Sequence, residues 1–258
     1  MLFSKLPTRT LRQQVYDRVR EKIISAGVLP GETLSLRRLA EEFGVSLMPV
    51  REALWQLESE RVVVIEANRR IRVNTLTQDE MRDVYTIRVL LESMAAERSC
   101  ASRPDSALPT AKRLLEQTGR HLKRSPRRYI QANFAFHRTI YQHCGSEVLL
   151  RLIDLLWARV GPYFYYAQLQ KDVDLSTSQR HHEAMYRAWV SRDTAKMLEA
   201  IRGDLASPVP LVSPAPPSAV QRAPGKPGLA GSVRKPPAGR ARSQGAWRPH
   251  RPIAGRRR

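Results

Sequence analysis

Four polar residues in the C-terminal half have the types and spacing that metal coordination requires. Asn133 and His137 are four residues apart in QANFAFHRTI, so they share one face of a helix. In RHHEAMYRAW, apolar residues three and seven positions after His182 mark its side as inward, which leaves His181 facing solvent. Asp204 stands on the apolar side of the last predicted helix. Two histidines, a carboxylate and an amide are ligands that zinc, nickel or manganese accepts.

The same residues also suit a purely structural role. An inward histidine is more often a hydrogen-bonded core residue than a metal ligand, because buried polar groups generally find partners inside the protein. No ligand spacing in the sequence decides between the two interpretations. Both therefore stay open when the residues alone are considered.

Successive amphipathic helices carry these residues. Helices are expected near 77–102, 108–123, 126–143, 146–170, 176–191 and 193–205. Helices of this number and length form an all-α bundle, which we assign to residues 76–205. The most apolar stretch, VLLRLIDLLWARVGPYFYY, is interrupted by Arg151, Asp154 and Arg159, so it predicts a core helix rather than a membrane span. A kink is expected in it at Gly161-Pro162.

The first segment, residues 8–74, has a different pattern. One helix ends before Gly27, a second is capped by Ser35 and ended by Gly44, and a third is capped by Ser46. Two β-rich pieces, 62–65 and 71–74, follow and enclose the basic sequence EANRR. Helix, short turn, helix and two-stranded ribbon predict a winged helix-turn-helix. The whole chain is therefore expected to be mostly α-helical.

Such a domain binds DNA through its third helix and its wing. The capped end of the third helix enters a major groove, where Arg51 can reach a guanine edge or a phosphate. The wing tip, Asn68-Arg69-Arg70, can reach the flanking backbone or minor groove.

The stretch PGETLSLRRLAEEFGVSLMPVREALWQLE resembles the DNA-binding domain of the GntR family of bacterial transcription regulators. The resemblance rests on Pro30-Gly31, Leu39-Ala40, Gly44-Val45-Ser46 and the run from Pro49 to Leu54. It implies DNA contacts at the following residues: Arg37, Arg38, Ser46, Leu47, Met48, Arg51, Asn68, Arg69 and Arg70. Leu47 departs from the arginine that the family usually carries, so an apolar contact to a thymine methyl replaces a polar one.

The stretch TIRVLLESMAAERSC resembles the opening helix of the FadR-like branch, the FCD effector domain, through its R-x-x-L-E-x-x-A-A pattern from Arg88 to Ala96. The resemblance implies one divalent metal ion held by an Asp and a His four apart and by two later histidines. Here Asn133 stands for that Asp, His137 and His182 match, and Asp204 stands near the last His. It also implies that the metal and Arg88 together hold a small carboxylate effector. The alternative for Arg88 is an ion pair with Glu92, four residues on.

Composition limits the possible partners. Net charge is +20, and residues 206–258 contain eleven of the basic residues, eleven of the eighteen prolines and no acidic residue. This tail is expected to be disordered, as a passive extension or the product of a shifted reading frame. The remaining residues hold 33 basic and 24 acidic side chains, which points to an anionic partner such as nucleic acid. Two cysteines without a CxxC pair, and no signal peptide, fit the cytoplasm.

These features predict a cytoplasmic, homodimeric transcription regulator that binds an operator in double-stranded DNA and senses a small organic acid. Repression is the common sign in the resembled family. One alternative is a metal-dependent enzyme domain fused to a DNA anchor, but HExxH, a nucleophile elbow and an evident general base are missing from the sequence. The other is a nonspecific nucleic-acid-binding protein driven by its basic tail.

Overall fold

The computed structural model describes residues 11–25, 28–122, 124–169 and 176–206. The predicted mostly α-helical fold is confirmed, with a small winged unit followed by a helical bundle. Residues 8–10 and the tail from residue 207 lie outside the described residues. Ala206, the first residue of the predicted tail, is the last residue of the final helix.

The N-terminal unit has three helices and a three-stranded sheet. Its elements are α1 (Leu11–Ser25), β1 (Thr33–Leu34), α2 (Leu36–Phe43), α3 (Leu47–Ser59), β2 (Val63–Ile65) and β3 (Ile71–Val73). The sheet is antiparallel in the order β1-β3-β2, so the wing strands β2 and β3 are extended by β1. The two-residue β1 was not predicted, because it is too short to show an alternating pattern.

The turn between α2 and α3 depends on its caps. The Ser35 hydroxyl accepts a hydrogen bond from the Arg38 backbone, and Gly44 ends α2 in the left-handed conformation with φ of 65°. Ser46 occupies the N-cap position of α3, but the prediction that its side chain caps the helix is wrong. Pro49 at the third helical position contributes to this, because it removes one of the two backbone N–H groups that an N-cap side chain can bind.

The C-terminal unit is a bundle of six α-helices within the described residues. They are α4 (Gln78–Ser102), α5 (Leu108–His121), α6 (Pro126–Tyr141), α7 (Glu147–Leu169), α8 (Ser176–Ser191) and α9 (Thr194–Ala206). The start of α4 is fixed by a capping box in which the Thr77 and Glu80 side chains each bind the other residue's backbone. Helix α7 continues through Pro162. None of the helices in the described ranges combines the length and apolarity of a membrane span.

The N-terminal unit contacts the bundle through helix α1 and through Leu76, just before α4. Helix α1 packs against α3 on one side and against α6 and α7 on the other. Its Ile24 lies so close to α7 that a Cβ added at Gly161 would be 2.9 Å from the Ile24 Cα. At the start of the bundle, the Tyr163 hydroxyl accepts a hydrogen bond of 2.5 Å from the Leu76 backbone. Helix α1 therefore packs against both α3 and the bundle.

Candidate functional site

Three side chains from three helices meet in the interior of the bundle. His137 on α6 and His182 on α8 bring their Nε2 atoms to 3.1 Å from each other. Each Nε2 atom is 3.4 Å from an oxygen of Asp204 on α9. Both histidines are buried, and the Asp204 side chain is only 10% exposed. The structure thus brings together three of the four residues predicted as metal ligands.

The spacing of the two imidazoles requires a hydrogen atom or a cation between them. Two Nε2 lone pairs at 3.1 Å would repel each other, so either one Nε2 donates an N–H hydrogen bond to the other or a cation binds both. Burial would raise the pKa of Asp204, but His182 and His137 hold it well below the ordinary range. Asp204 is therefore a carboxylate, and its negative charge favours a cation or a protonated imidazole at this place.

A hydrogen-bonded chain behind His137 fixes which ring nitrogen faces the cluster. The Tyr141 hydroxyl is 2.8 Å from a Glu92 carboxylate oxygen and 2.9 Å from His137 Nδ1. Burial and the neighbouring Glu92 raise the pKa of Tyr141 well above its ordinary value, so the phenol keeps its proton and donates it to Glu92. The phenol oxygen then accepts a hydrogen bond from His137 Nδ1–H. Neutral His137 consequently points its Nε2 lone pair at the cluster.

Burial also keeps His137 in the form that this arrangement needs. Burial lowers the pKa of His137, while Asp204 opposes that shift. The Ser178 hydroxyl donates a hydrogen bond of 2.7 Å to Asp204 Oδ1, the oxygen that faces His182, and lies 3.4 Å from His182 Nε2. The cluster is therefore oriented by neighbouring residues on α4, α6 and α8.

Asn133, the fourth predicted ligand, lies one helical turn before His137 and is also buried. Within the described ranges its Oδ1 atom has no hydrogen-bond partner, and neither has His182 Nδ1. A buried amide oxygen without a partner is costly unless a missing group binds it. Its carbonyl oxygen is thus free to serve as a ligand to a cation.

Arg88 is completely buried and does make the ion pair that its spacing allows. Its Nε atom lies 2.7 Å from Glu92, and its guanidinium is 4.7 Å from the centre of the Trp157 ring. The Nη1 atom of Arg88 and the Tyr85 hydroxyl make no hydrogen bond of standard geometry in the described part of the chain. Pairing with Glu92 therefore leaves one donor of the guanidinium fork unused.

The prediction that His181 faces solvent is wrong. His181 is half-buried, and its ring lies against α9 where Gly203 has no side chain. A Cβ at Gly203 would fall 2.4 Å from the His181 ring. The missing side chain makes room for an imidazole that helical periodicity alone places at the surface. The inward position of His182 is confirmed, with a relative exposure of 0%.

The predicted DNA contacts all lie at the exposed surface of the N-terminal unit. These residues are Arg37, Arg38, Ser46, Leu47, Met48, Arg51, Asn68, Arg69 and Arg70. At the wing tip the Asn68 side chain accepts a hydrogen bond from the Arg70 backbone, and Arg69 has a positive φ of 61°. The tight turn thus projects two guanidinium groups away from the sheet.

Three residues around these sites were not predicted in their roles from the sequence. Tyr141 was recognisable in principle, because it stands four residues after His137 and shares its helical face. Glu92 was read only as a partner of Arg88, although it also binds Tyr141. Trp55 is exposed and stands four residues after Arg51 on the outer face of α3.

Comparisons with known proteins agree with this architecture. The model of bacterial regulatory proteins of the gntR family matches residues 11–73, and the FCD domain model matches residues 83–207. The chain is 27% identical over 209 residues to the HTH-type transcriptional repressor GlaR of Escherichia coli (strain K12), covering 78% of this chain and 94% of that protein. It is 27% identical over 192 residues to the gluconate operon transcriptional repressor of Bacillus licheniformis, covering 71% of this chain and 77% of that protein.

The fold is also found in solved structures. E. coli McbR/YncC superposes with a TM-score of 0.71 at 24% sequence identity, over 77% of this chain and 94% of that one. A GntR regulator from Rhodococcus sp. RHA1 gives a TM-score of 0.61 at 21% identity, over 75% and 93% of the two chains. The matched families and relatives are transcription regulators, which confirms the prediction that the chain is not an enzyme.

Proposed function

Because the chain belongs to the GntR family of bacterial regulatory proteins and carries an FCD domain, we propose that it is a metal-dependent, carboxylate-responsive repressor. Its activity as a DNA-binding transcription regulator follows from the family. The proposal adds a divalent ion at His137, His182, Asp204 and Asn133, and a small organic acid beside that ion. The observation that carries it is the buried meeting of three ligand atoms from three helices.

The ligand atoms have the spacing that a metal ion demands. Bonds of about 2.0–2.1 Å in a tetrahedral arrangement place neighbouring ligand atoms about 3.3–3.4 Å apart. In this cluster the two Nε2 atoms are 3.1 Å apart, and each is 3.4 Å from a different oxygen of Asp204, Oδ2 for His137 and Oδ1 for His182. The unpartnered Asn133 oxygen offers a fourth ligand, and the Tyr141 hydrogen bond aims the lone pair of His137 at the cluster. Zinc, nickel and manganese all accept such a set.

The effector class follows from the groups left without partners. Arg88 Nη1 and the Tyr85 hydroxyl are buried donors that lie near each other and make no hydrogen bond of standard geometry in the described structure. With these four ligands the ion must expand its coordination to accept a further oxygen, as zinc does in five-coordinate sites and manganese does in octahedral ones, and it then acts as a Lewis-acidic partner for an oxygen anion. A guanidinium donor and a cation together favour a carboxylate over a neutral ligand. Gluconate is a reasonable first candidate, because two relatives are named as repressors of gluconate operons.

The proposed dimer has a suitable surface on α4. Ile87, Leu90 and Met94 are exposed by 44%, 64% and 43%, and their spacing of three and four places them on one stripe. An exposed apolar stripe of this kind marks an interaction surface, and a second copy of the chain would present the same stripe. Two winged units in one dimer would bind the two half-sites of a palindromic operator.

Ion pairs link the His137–His182–Asp204 cluster to the winged unit. Arg138 follows His137 on α6, and its Nε atom lies 3.1 Å from Asp154 on α7. Arg20 on α1 reaches the other oxygen of Asp154 at 3.7 Å. A displacement of α6 on effector binding would thus move Asp154 and, through Arg20, α1, which packs against α3. Ligand binding would then shift the dimer between arrangements that differ in operator affinity.

The test is a DNA-binding titration with the full-length chain loaded with zinc. The probes are the duplex upstream of its own gene and a shuffled duplex of the same composition, each at two salt concentrations. We expect a preference for the native duplex that persists near physiological salt, and a loss of affinity of about 5- to 150-fold when the right carboxylate is added. The His182→Gln variant should keep the DNA preference and lose the response to the carboxylate.

Three results would count against the proposal. Equal binding of native and shuffled duplex at both salt concentrations would leave only nonspecific affinity, to which the basic tail contributes. If the acid lowers the DNA affinity of His182→Gln and of the wild type equally, the effector binds elsewhere. A panel of small acids that leaves wild-type affinity unchanged would remove the effector class.

A further inference from the structure

The recognition helix α3 carries a large aromatic side chain on its solvent-facing side. Trp55 is 54% exposed, whereas Trp157 and Trp189 in the bundle are 2% and 0% exposed. Trp55 stands one helical turn after Arg51, so the two side chains share the outer face of α3. Tryptophan is strongly favoured in interiors and at interfaces, and an exposed one on a binding element calls for an occupant.

Trp55 borders a groove between α3 and the wing. The groove has a volume of about 440 Å³ and an apolar floor formed by Leu54, Ile65 and Ile71. Arg51 stands on the helix side and Arg69 on the wing side. Each of the described residues that line it is either apolar or cationic, and none is acidic. The lining therefore combines an apolar surface with two positive charges, and a ligand with an apolar part and a negative charge complements it.

DNA offers such a ligand at this position. When a recognition helix enters a major groove and the wing reaches the adjacent minor groove, one sugar–phosphate strand must pass between them, because that strand separates the two grooves. Deoxyribose presents apolar carbon atoms, and the phosphate presents anionic acceptors. Indole provides a flat apolar face and a single N–H donor.

We propose that this groove holds one sugar–phosphate strand of bound DNA, with Trp55 packed on a deoxyribose and its Nε1–H donated to a phosphate. The proposal rests on the proposed function, because it takes α3 and the wing as the DNA-binding elements. It makes Trp55 a contact that fixes the position of the duplex without reading a base. Arg51 and Arg69 neutralise phosphates on either side of it.

A backbone contact by an uncharged side chain has two measurable consequences. First, its loss weakens operator and shuffled DNA by the same factor, because the backbone is common to both. Secondly, its loss leaves the dependence of affinity on salt unchanged, because only charged side chains release counterions. Loss of Arg69 should instead reduce the slope of log affinity against log salt by about one.

The experiment compares four variants of the full-length chain on the native and the shuffled duplex at three salt concentrations. We expect Trp55→Ala to bind both duplexes about 10- to 30-fold more weakly, and Trp55→Phe to lose about 3-fold, since it keeps the apolar face without the N–H donor. Arg69→Ala tests the salt slope. Val190→Ala is the matched control, because Val190 is an exposed apolar residue, at 42%, on α8 of the bundle. Circular dichroism and melting curves check that each variant folds.

Tryptophan fluorescence gives an independent readout. Both proteins carry Trp247→Phe, because that tryptophan stands in the basic tail and could respond to DNA by itself. In this background DNA should change the emission of the protein with Trp55 and leave a much smaller change in Trp55→Phe, because Trp157 and Trp189 stay buried. The proposal is overturned if Trp55→Ala binds both duplexes within twofold of the wild type, weakens only the native duplex, or changes the salt slope. A wild type that binds both duplexes equally would contradict the proposal of a sequence-specific regulator. The comparison of Trp55→Ala with the wild type on those duplexes would still test whether the groove binds DNA. A wild type that binds neither would overturn both.

Discussion

Tyr141→Phe removes one oxygen atom and should weaken metal binding without touching a metal ligand. In the structure this oxygen joins Glu92 at 2.8 Å to His137 Nδ1 at 2.9 Å. Its loss leaves a buried carboxylate oxygen without its donor and frees the His137 ring to change tautomer. Outer partners of metal-bound histidines typically contribute about 10- to 100-fold to metal affinity. That factor corresponds to about 1.4–2.7 kcal/mol of binding free energy.

The same substitution should also lower stability. A buried hydrogen bond to a charged group contributes about 1.5–3 kcal/mol, and a loss of about 2 kcal/mol lowers the melting temperature of a chain of this size by about 4–8 °C. The matched control is Tyr163→Phe, which removes the phenol oxygen of another buried tyrosine, one that binds the Leu76 backbone and makes no hydrogen bond to the cluster residues. It should lower the melting temperature and leave metal affinity unchanged.

The assay is a zinc titration of the metal-free full-length proteins, followed by calorimetry, together with melting curves without metal. The reasoning predicts that only Tyr141→Phe weakens zinc binding, whereas both variants melt earlier than the wild type. Zinc binding of Tyr141→Phe that equals the wild type would refute the orienting role of the phenol. Equal weakening in both variants would show that zinc affinity merely follows overall stability.

Two further substitutions test the packing and the assembly. Gly161→Ala should destabilise the chain by about 1–3 kcal/mol, because its Cβ would lie 2.9 Å from the backbone of Ile24; Gly119→Ala meets only the end of a glutamine side chain, at 3.3 Å, and should be neutral or gain about 0.5–1 kcal/mol from helix propensity. Chemical denaturation measures both, and equal effects would disprove the close contact between α1 and α7. Leu90→Arg should convert the proposed dimer to a monomer in analytical ultracentrifugation, and a variant that stays dimeric would remove α4 from the proposed interface.

Local signals predicted the helices and the turn well. Periodicity located all six bundle helices within a few residues, because apolar residues recur at helical spacing in each of them and caps or breaks mark the ends. Ser35 and Gly44 were also predictable, since caps depend on neighbouring backbone groups. The side-chain cap predicted for Ser46 is missing, and Pro49 contributes to that because it removes one of the two backbone N–H groups that the hydroxyl could bind.

Long-range arrangements were harder to predict. His137, His182 and Asp204 come from three helices, and their meeting depends on how those helices cross, which no spacing encodes. Residue types and helical faces proposed this set, but they left a metal site and a structural role open, and the resemblance to the FadR-like branch favoured the metal. His181 was misplaced because a glycine on another helix makes room for it, and Glu92 reaches Tyr141 across 49 positions in the chain.

The most direct test of the account is the number of metal ions bound per chain. The full-length wild type, His182→Gln and His181→Gln are each incubated with zinc, freed of loose ions by dialysis and analysed by mass spectrometry for metal content. The account predicts about one ion per chain in the wild type and in His181→Gln, and close to none in His182→Gln. The reason is that His182, unlike its neighbour His181, aims a ring nitrogen at His137 and Asp204. A wild type without metal, or the same metal content in all three proteins, would contradict it.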